Sequence, residues 1–159
     1  MKVNKRRKGI IIKDAVIGEG TEIWHYANLF GCKIGKNCKI GSFVEIGKDV
    51  EIGDNCKIEA FVFIPTGVKI GNQVFIGPGV IFTNDPYPKA VGGWKVIPTI
   101  VEDGASIGAN ATIRCGVKIG KDSLIGCGSV VTRDVKEGTV VIGNPAKFKR
   151  RIYNETPNK

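Results

Sequence analysis

Aliphatic or aromatic residues recur at every sixth position from Ile34 to Phe82: Ile34, Ile40, Ile46, Ile52, Ile58, Ile64, Ile70, Ile76 and Phe82. Two residues before each stands a small or β-branched side chain, Cys32, Cys38, Val44, Val50, Cys56, Val62, Val68, Val74 and Val80, so two apolar registers run in phase. The pattern pauses after Phe82 and returns as Val101, Ile107, Ile113, Ile119, Ile125 and Val131, preceded by Thr99, Ala105, Ala111, Val117, Ser123 and Ser129. Ile17, Ile23 and Leu29 extend it upstream. Glycine often follows the aliphatic residue, as after Ile34, Ile46, Ile52, Ile70, Ile107, Ile119 and Ile125, which suits a sharp corner where a Cβ would be strained.

A helix would space its apolar residues by three and four and a simple strand by two, so a period of six predicts neither. It predicts very short strands joined by sharp turns. Three of them close a triangular coil of about 18 residues with both apolar registers turned inward, and the coils stack into an all-β parallel helix of about seven turns. One domain results, with coils over about 15–136 and a single long excursion at 83–98. After Val131 the phase breaks, and Gly143, Asn144 and Pro145 signal a turn. The following KFKRRIYN has the composition of a short helix that would cap the last coil within a terminal segment 137–159.

The 159 residues are 42% apolar and carry a formal net charge of +9, ordinary for one globular domain apart from the basic excess. The cations are spread along the chain rather than interleaved with aromatics, which favours an anionic small molecule over nucleic acid as the partner. The opening MKVNKRRKGIIIK has too short an apolar stretch for a signal sequence or a membrane span, so a cytoplasmic protein is expected. Cys32, Cys38 and Cys56 fall in the small inward register and read as core hydrophobes. Cys115 and Cys127 lie two residues beyond the inward aliphatic and are expected to face outward near a cleft. His25 is the only histidine, which excludes a three-histidine metal site within one chain.

The hexad, an aliphatic residue followed by Gly, Ala, Glu or Asp and a small residue two places before the next aliphatic, resembles the hexapeptide-repeat acyltransferase family from about Ile17 to Ala146. That resemblance implies a left-handed β-helix. Three segments narrow it. GTVVIGNPAK at 138–147 resembles the terminal turn of members that use acetyl-CoA, and EGTEIWHYANL at 19–29 is similar to the first coil of transferases acting on nucleotide-linked 3-amino sugars. FTNDPYPKA at 82–90 resembles the loop of UDP-2-acetamido-3-amino-2,3-dideoxyglucuronate N-acetyltransferases, although AVGGWK here leads straight to Ile97–Pro98 and Lys89 stands where arginine is commoner.

The resemblance implies acetyl-CoA as co-substrate, no metal, and a homotrimer with active sites between subunits. Asn84 would accept a hydrogen bond from the sugar amine, with Asp85 or His25 as candidates for the proton. Asn84 and Asp85 ahead of Pro86 also read as plain turn formers. Tyr87, Lys89, Trp94 and Lys95 would cover the sugar nucleotide. Gly108, Ala109, Gly126 and Cys127 would line the pantetheine arm of CoA, and Lys147, Arg150 and Arg151 its phosphates. Two other readings stay open: transfer to a dTDP-linked 3-amino-3,6-dideoxyhexose, whose enzymes share the EGT-x-IWH string, and a non-catalytic trimeric scaffold.

Overall fold

The computed structural model describes residues 8–152. Among these residues, twenty-one strands, most of them two residues long, form a parallel β-solenoid of about seven turns, and none of these residues is helical, as in the left-handed β-helix expected of hexapeptide repeats. Three sheets make the faces of a triangular prism. The first runs from Ile11–Lys13 to Val130–Val131, the second from Val16–Ile17 to Lys118–Ile119, and the third from Glu22–Ile23 through Leu124–Ile125 to Thr139–Ile142 and Lys147–Arg151.

Both apolar registers point inward as the sequence implies. Ile46 lies in register between Leu29 and Ile64, and Ile76 between Ile58 and Ile107, all of them buried. Cys32, Cys38 and Cys56 occupy the small register, buried in the same core. The hydroxyls that replace aliphatic groups there are satisfied locally: Thr21 Oγ1 donates to the Gly35 carbonyl at 2.7 Å and Ser123 Oγ to that of Gly120 at 2.6 Å. A buried polar group without such a partner would cost about 1–3 kcal/mol, and among the described residues none is left without one.

Successive coils are 18 residues apart, as in Ile34 against Ile52, but 17 in the earliest coils, as in Ile17 against Ile34 and Leu29 against Ile46. Ile70 pairs with Val101, 31 residues on. The excursion at 83–98 therefore leaves and rejoins the stack without disturbing its register.

The corner between the second and third sheets is stapled by side chains. Asp54 Oδ1 accepts the Lys36 N–H at 2.7 Å, Asn72 Oδ1 that of Asp54 at 2.9 Å, and Asp103 Oδ1 that of Asn72 at 2.7 Å. Each carboxylate or amide thus satisfies an N–H of the preceding coil that faces no strand.

Two expectations are corrected. Residues Lys147–Arg151 form a strand antiparallel to Thr139–Ile142, not a helix; Tyr153 and Asn154 lie outside the described residues. KFKRR lacks the three-and-four apolar spacing that would bury a helix, and all five side chains are exposed. The Gly143–Pro145 turn instead brings it back onto a strand with unpaired backbone groups. Cys115 is buried rather than outward, because the returning excursion covers its corner; Cys127, in the same phase at an uncovered corner, is exposed.

Candidate active site

The excursion leaves and re-enters the solenoid at the corner between the first and second sheets, and its base is pinned to the coils on either side. The Thr83 N–H donates to the Ile113 carbonyl at 3.0 Å, and the Thr83 hydroxyl accepts the Cys115 N–H at 2.9 Å. On the return, the Thr99 N–H donates to the Gly67 carbonyl at 3.0 Å. Val96 lies over Gly67 and Ile97 over Gly116, where a Cβ on either glycine would run into the side chain above it. The neck is closed by the Ile97 N–H donating to the Asn84 carbonyl at 3.2 Å.

Asn84 is thus held by its main chain, half-buried at the neck. Asp85 is used differently. Its Oδ1 accepts the Tyr87 N–H at 2.8 Å, a turn in which the carboxylate stands in for a backbone acceptor around Pro86. Tyr87, Lys89, Trp94 and Lys95 occupy the exposed tip of the loop.

His25 is elsewhere. It follows the strand Glu22–Ile23, on the corner between the third and first sheets, whereas Asn84 follows Ile81–Phe82 on the next corner round. Three coil steps separate them along the axis, counted through Leu29, Ile46, Ile64 and Phe82, or about 14 Å at a strand spacing of about 4.8 Å. His25 Nδ1 accepts the Lys8 N–H at 3.0 Å, so the neutral ring carries its hydrogen on Nε2 and offers a donor rather than a base. One chain does not bring His25 to Asn84.

The corner that carries His25 also carries Gly108, Ala109, Gly126 and Cys127. Its backbones approach closely: a Cβ on Gly108 would lie 2.6 Å from the Cys127 nitrogen, and one on Gly77 2.7 Å from the Ala109 nitrogen. The upper coils of this corner are therefore nearly free of side chains, a smooth main-chain surface suited to an extended amide-containing arm.

Lys147 and Arg151, on the last strand, join Arg133 and Lys136 around a cavity of about 520 Å³ whose apolar lining includes Val131, Val141 and Phe148. Arg150 turns its Nη1 onto the Arg151 carbonyl at 3.3 Å instead. Of the thiols, burial pushes that of Cys32 up, and the neighbouring Cys38 sulfur together with burial pushes that of Cys56 up, so neither is a nucleophile. Among the described residues, no cluster of three metal-ligating side chains occurs. On the second face, Lys118 beside Glu102, at 2.6 Å, holds the Glu102 carboxyl below the usual carboxylate range.

Residues 31–66, 49–84 and 98–133 match the bacterial transferase hexapeptide family of six repeats, together more than half of the chain. The chain belongs to this family. It is 35% identical over 133 residues to the bifunctional protein GlmU of Nostoc sp., covering 83% of this chain and 28% of that protein. To GlmU of Clostridioides difficile it is 28% identical over 153 residues, covering 96% and 32%. This hexapeptide transferase thus spans about a third or less of the length of those relatives.

Among solved structures, a hexapeptide transferase family protein from Anaplasma phagocytophilum superposes with a TM-score of 0.75 at 22% identity, over 91% of this chain and 85% of that one. A mutant of AntD, an N-acyltransferase from Bacillus cereus in complex with dTDP and coenzyme A, gives 0.68 at 18%, over 92% and 85%. A hexapeptide-repeat acetyltransferase from Vibrio cholerae, also solved with acetyl coenzyme A, gives 0.59 at 25%, over 92% and 75%.

The hexad pattern of this hexapeptide transferase conceals one further feature. Below the glycine-rich coils of the His25 corner, Tyr26, Phe43 and Phe61 stack at centroid distances of 5.1 and 5.0 Å, with interplanar angles of 15° and 3°. All three sit at left-handed φ values of 58°, 59° and 62°. The other non-glycine residues with positive φ among those described are Asn, Asp or Gln. A bulky side chain in that region costs about 1–2 kcal/mol, and each ring pair offsets about 0.5–1.5 kcal/mol. Three strained residues against two stacks leave the column without net stabilisation of its own. The spacing of 17 and 18 residues between the three aromatics was the available signal, hidden because the rings lie outside both apolar registers.

Proposed function

We propose that this protein is an acetyltransferase that moves the acetyl group of acetyl-CoA to the 3-amino group of a UDP-linked 2-acetamido-3-amino-2,3-dideoxy-uronic acid, for surface polysaccharide or glycan synthesis. The observation that carries the reading is the pinned neck of the FTNDPYPKA loop. Among the described residues it is the one long departure from a rigid stack, and it holds Asn84 by main-chain bonds that leave its amide for substrate. Membership in the transferase family and the likeness to an acetyltransferase solved with acetyl coenzyme A support the donor.

In the reaction the amine nitrogen attacks the thioester carbonyl carbon, and a tetrahedral oxyanion forms. The C–S bond then breaks, and the nitrogen gives up a proton as the thiolate gains one. Asn84 Oδ1 accepts from the amine and aims its lone pair at the carbonyl, a positioning role, since an amide takes no proton. The departing sulfur is the simplest proton acceptor, because Asp85 is engaged in its turn and His25 presents a donor. Tyr87, Lys89 and Trp94 cover the acceptor, with Lys89 facing its carboxylate. Gly108, Ala109, Gly126 and Cys127 carry the pantetheine arm, and Lys147, Arg150 and Arg151 meet CoA phosphates.

Asn84 and the glycine corner lie on different corners of one prism, so the loop of one copy serves the glycine corner of another in a homotrimer working in the cytoplasm. A mass near that of the monomer in solution would remove this part of the reading. A second acceptor is a dTDP-linked 3-amino-3,6-dideoxyhexose, whose enzymes share the EGT-x-IWH string; AntD, alike in fold, was solved with dTDP.

The deciding experiment follows free thiol release from acetyl-CoA with each nucleotide sugar in turn. Turnover with the UDP-uronate alone is expected. Turnover with the dTDP sugar alone would replace the acceptor, and silence with both, together with no CoA binding, would return the chain to a scaffold.

A further inference from the structure

The aromatic column is closed at one end and open at the other. Below Tyr26 lies Gly9, where a Cβ would run into the Tyr26 ring. Above Phe61 the same corner position is Gly79, which projects no side chain, and the Asn110 amide of the following coil leans over it. Tyr26, Phe43 and Phe61 are 50, 50 and 61% exposed, so each ring presents itself to solvent. Beside the column runs an open groove of about 460 Å³ lined by Trp24, Lys39, Ser42, Lys57 and Glu59. Lys57 is paired with Glu59 at 2.7 Å, and Lys39 stands in register between Glu22 and Lys57.

We propose that this column is a stacking platform for the nucleobase of the sugar nucleotide, with the base lying on the exposed face of Phe61 and its phosphates directed into the groove toward Lys39. The proposal rests on the nucleotide-linked acceptor argued above. Three nearly parallel rings at one-coil intervals end on Phe61, above which no ring follows; at the inner edge of that level the Asn110 amide fills the space a Gly79 Cβ would take, so the added flat ring would lie outward of it, on the exposed face of Phe61. The Asn110 amide, with both a donor and an acceptor, stands at that level to meet a base edge. A nearby cation and hydroxyl complete the chemistry of a nucleoside phosphate. Strain at three successive positions of one corner is thereby tied to binding rather than to the turn, which asparagine forms elsewhere at less cost.

The test is Phe61→Asn, with Phe43→Asn as a second variant, in titrations with UDP, dTDP, inorganic pyrophosphate and CoA. Asparagine relieves the left-handed strain, so the melting temperature should hold or rise while affinity for UDP or dTDP falls about ten-fold or more. CoA affinity should be unchanged, and pyrophosphate should bind the wild type far more weakly than UDP. Unchanged nucleotide affinity in both variants, with the wild type binding UDP, would overturn the platform and leave the acceptor reading standing. A fall in oligomeric mass would also overturn it and assign the column to a contact between copies. A wild type that binds neither UDP nor dTDP would defeat both readings together.

Discussion

Replacing Asn84 by alanine separates chemistry from folding more cleanly than any other change at the site. The bond that closes the neck of the loop uses the Asn84 carbonyl, and Thr83, Val96, Ile97 and Thr99 make the other anchoring contacts. All of these survive the substitution. What disappears is a half-buried amide, and the expected loss of stability is under about 1 kcal/mol. Loss of one group that orients the reacting amine is expected to lower kcat by about 10²-fold or more, near 2.7 kcal/mol. Asp85→Ala is the contrast. It removes the acceptor for the Tyr87 N–H and loosens the loop tip, so KM for the acceptor should rise along with any loss of kcat. Thiol release gives the kinetic constants, and thermal unfolding at fixed protein concentration gives the stability. Asn84→Ala with full turnover, or with activity and melting temperature falling in step, would refute the positioning role and leave Asn84 as a turn former.

Ile76→Ala, at a fully buried rung between Ile58 and Ile107, should cost about 2–5 kcal/mol in denaturant unfolding; a loss under 1 kcal/mol would contradict the register. Of the five cysteines only Cys127 is exposed, so the native protein should react with one equivalent of a thiol reagent, and CoA should slow that reaction if the arm lies along this corner. Lys118 holds the Glu102 carboxyl low, so the stabilisation it supplies is fully present above the ordinary glutamate value of about 4.3 and is lost as pH falls through the depressed folded value. The melting-temperature advantage of the wild type over Glu102→Gln should accordingly vanish in acid, and an advantage that grows there would reverse the assigned cause.

The core was legible because its rule is strictly local: an aliphatic residue every six and a small one two before it can have only one inside. Even the loop was marked, by the lapse between Phe82 and Val101. Lys147–Arg151 was not legible, because KFKRR satisfies helix composition as well as strand and the choice is made by unpaired backbone on Thr139–Ile142, which no local pattern announces. Cys115 and Cys127 share a phase and differ only in whether the excursion folds over them. Counting by six hides which corner a residue occupies; counting by 18 separates His25 from Asn84 and aligns it with Ser42, Ala60, Ala109 and Cys127. The aromatic column appears only in that longer count.

The reversal of the chain at Lys147–Arg151 has a consequence for assembly between molecules. A stack of parallel coils is a template on which an identical coil from another molecule could add, rung upon rung, into a fibre. Here the final strand of the third face runs backwards and bears Lys147, Lys149, Arg150 and Arg151. An incoming copy would meet mismatched strand polarity and like charge at once. The basic hairpin thus blocks further parallel addition on that face.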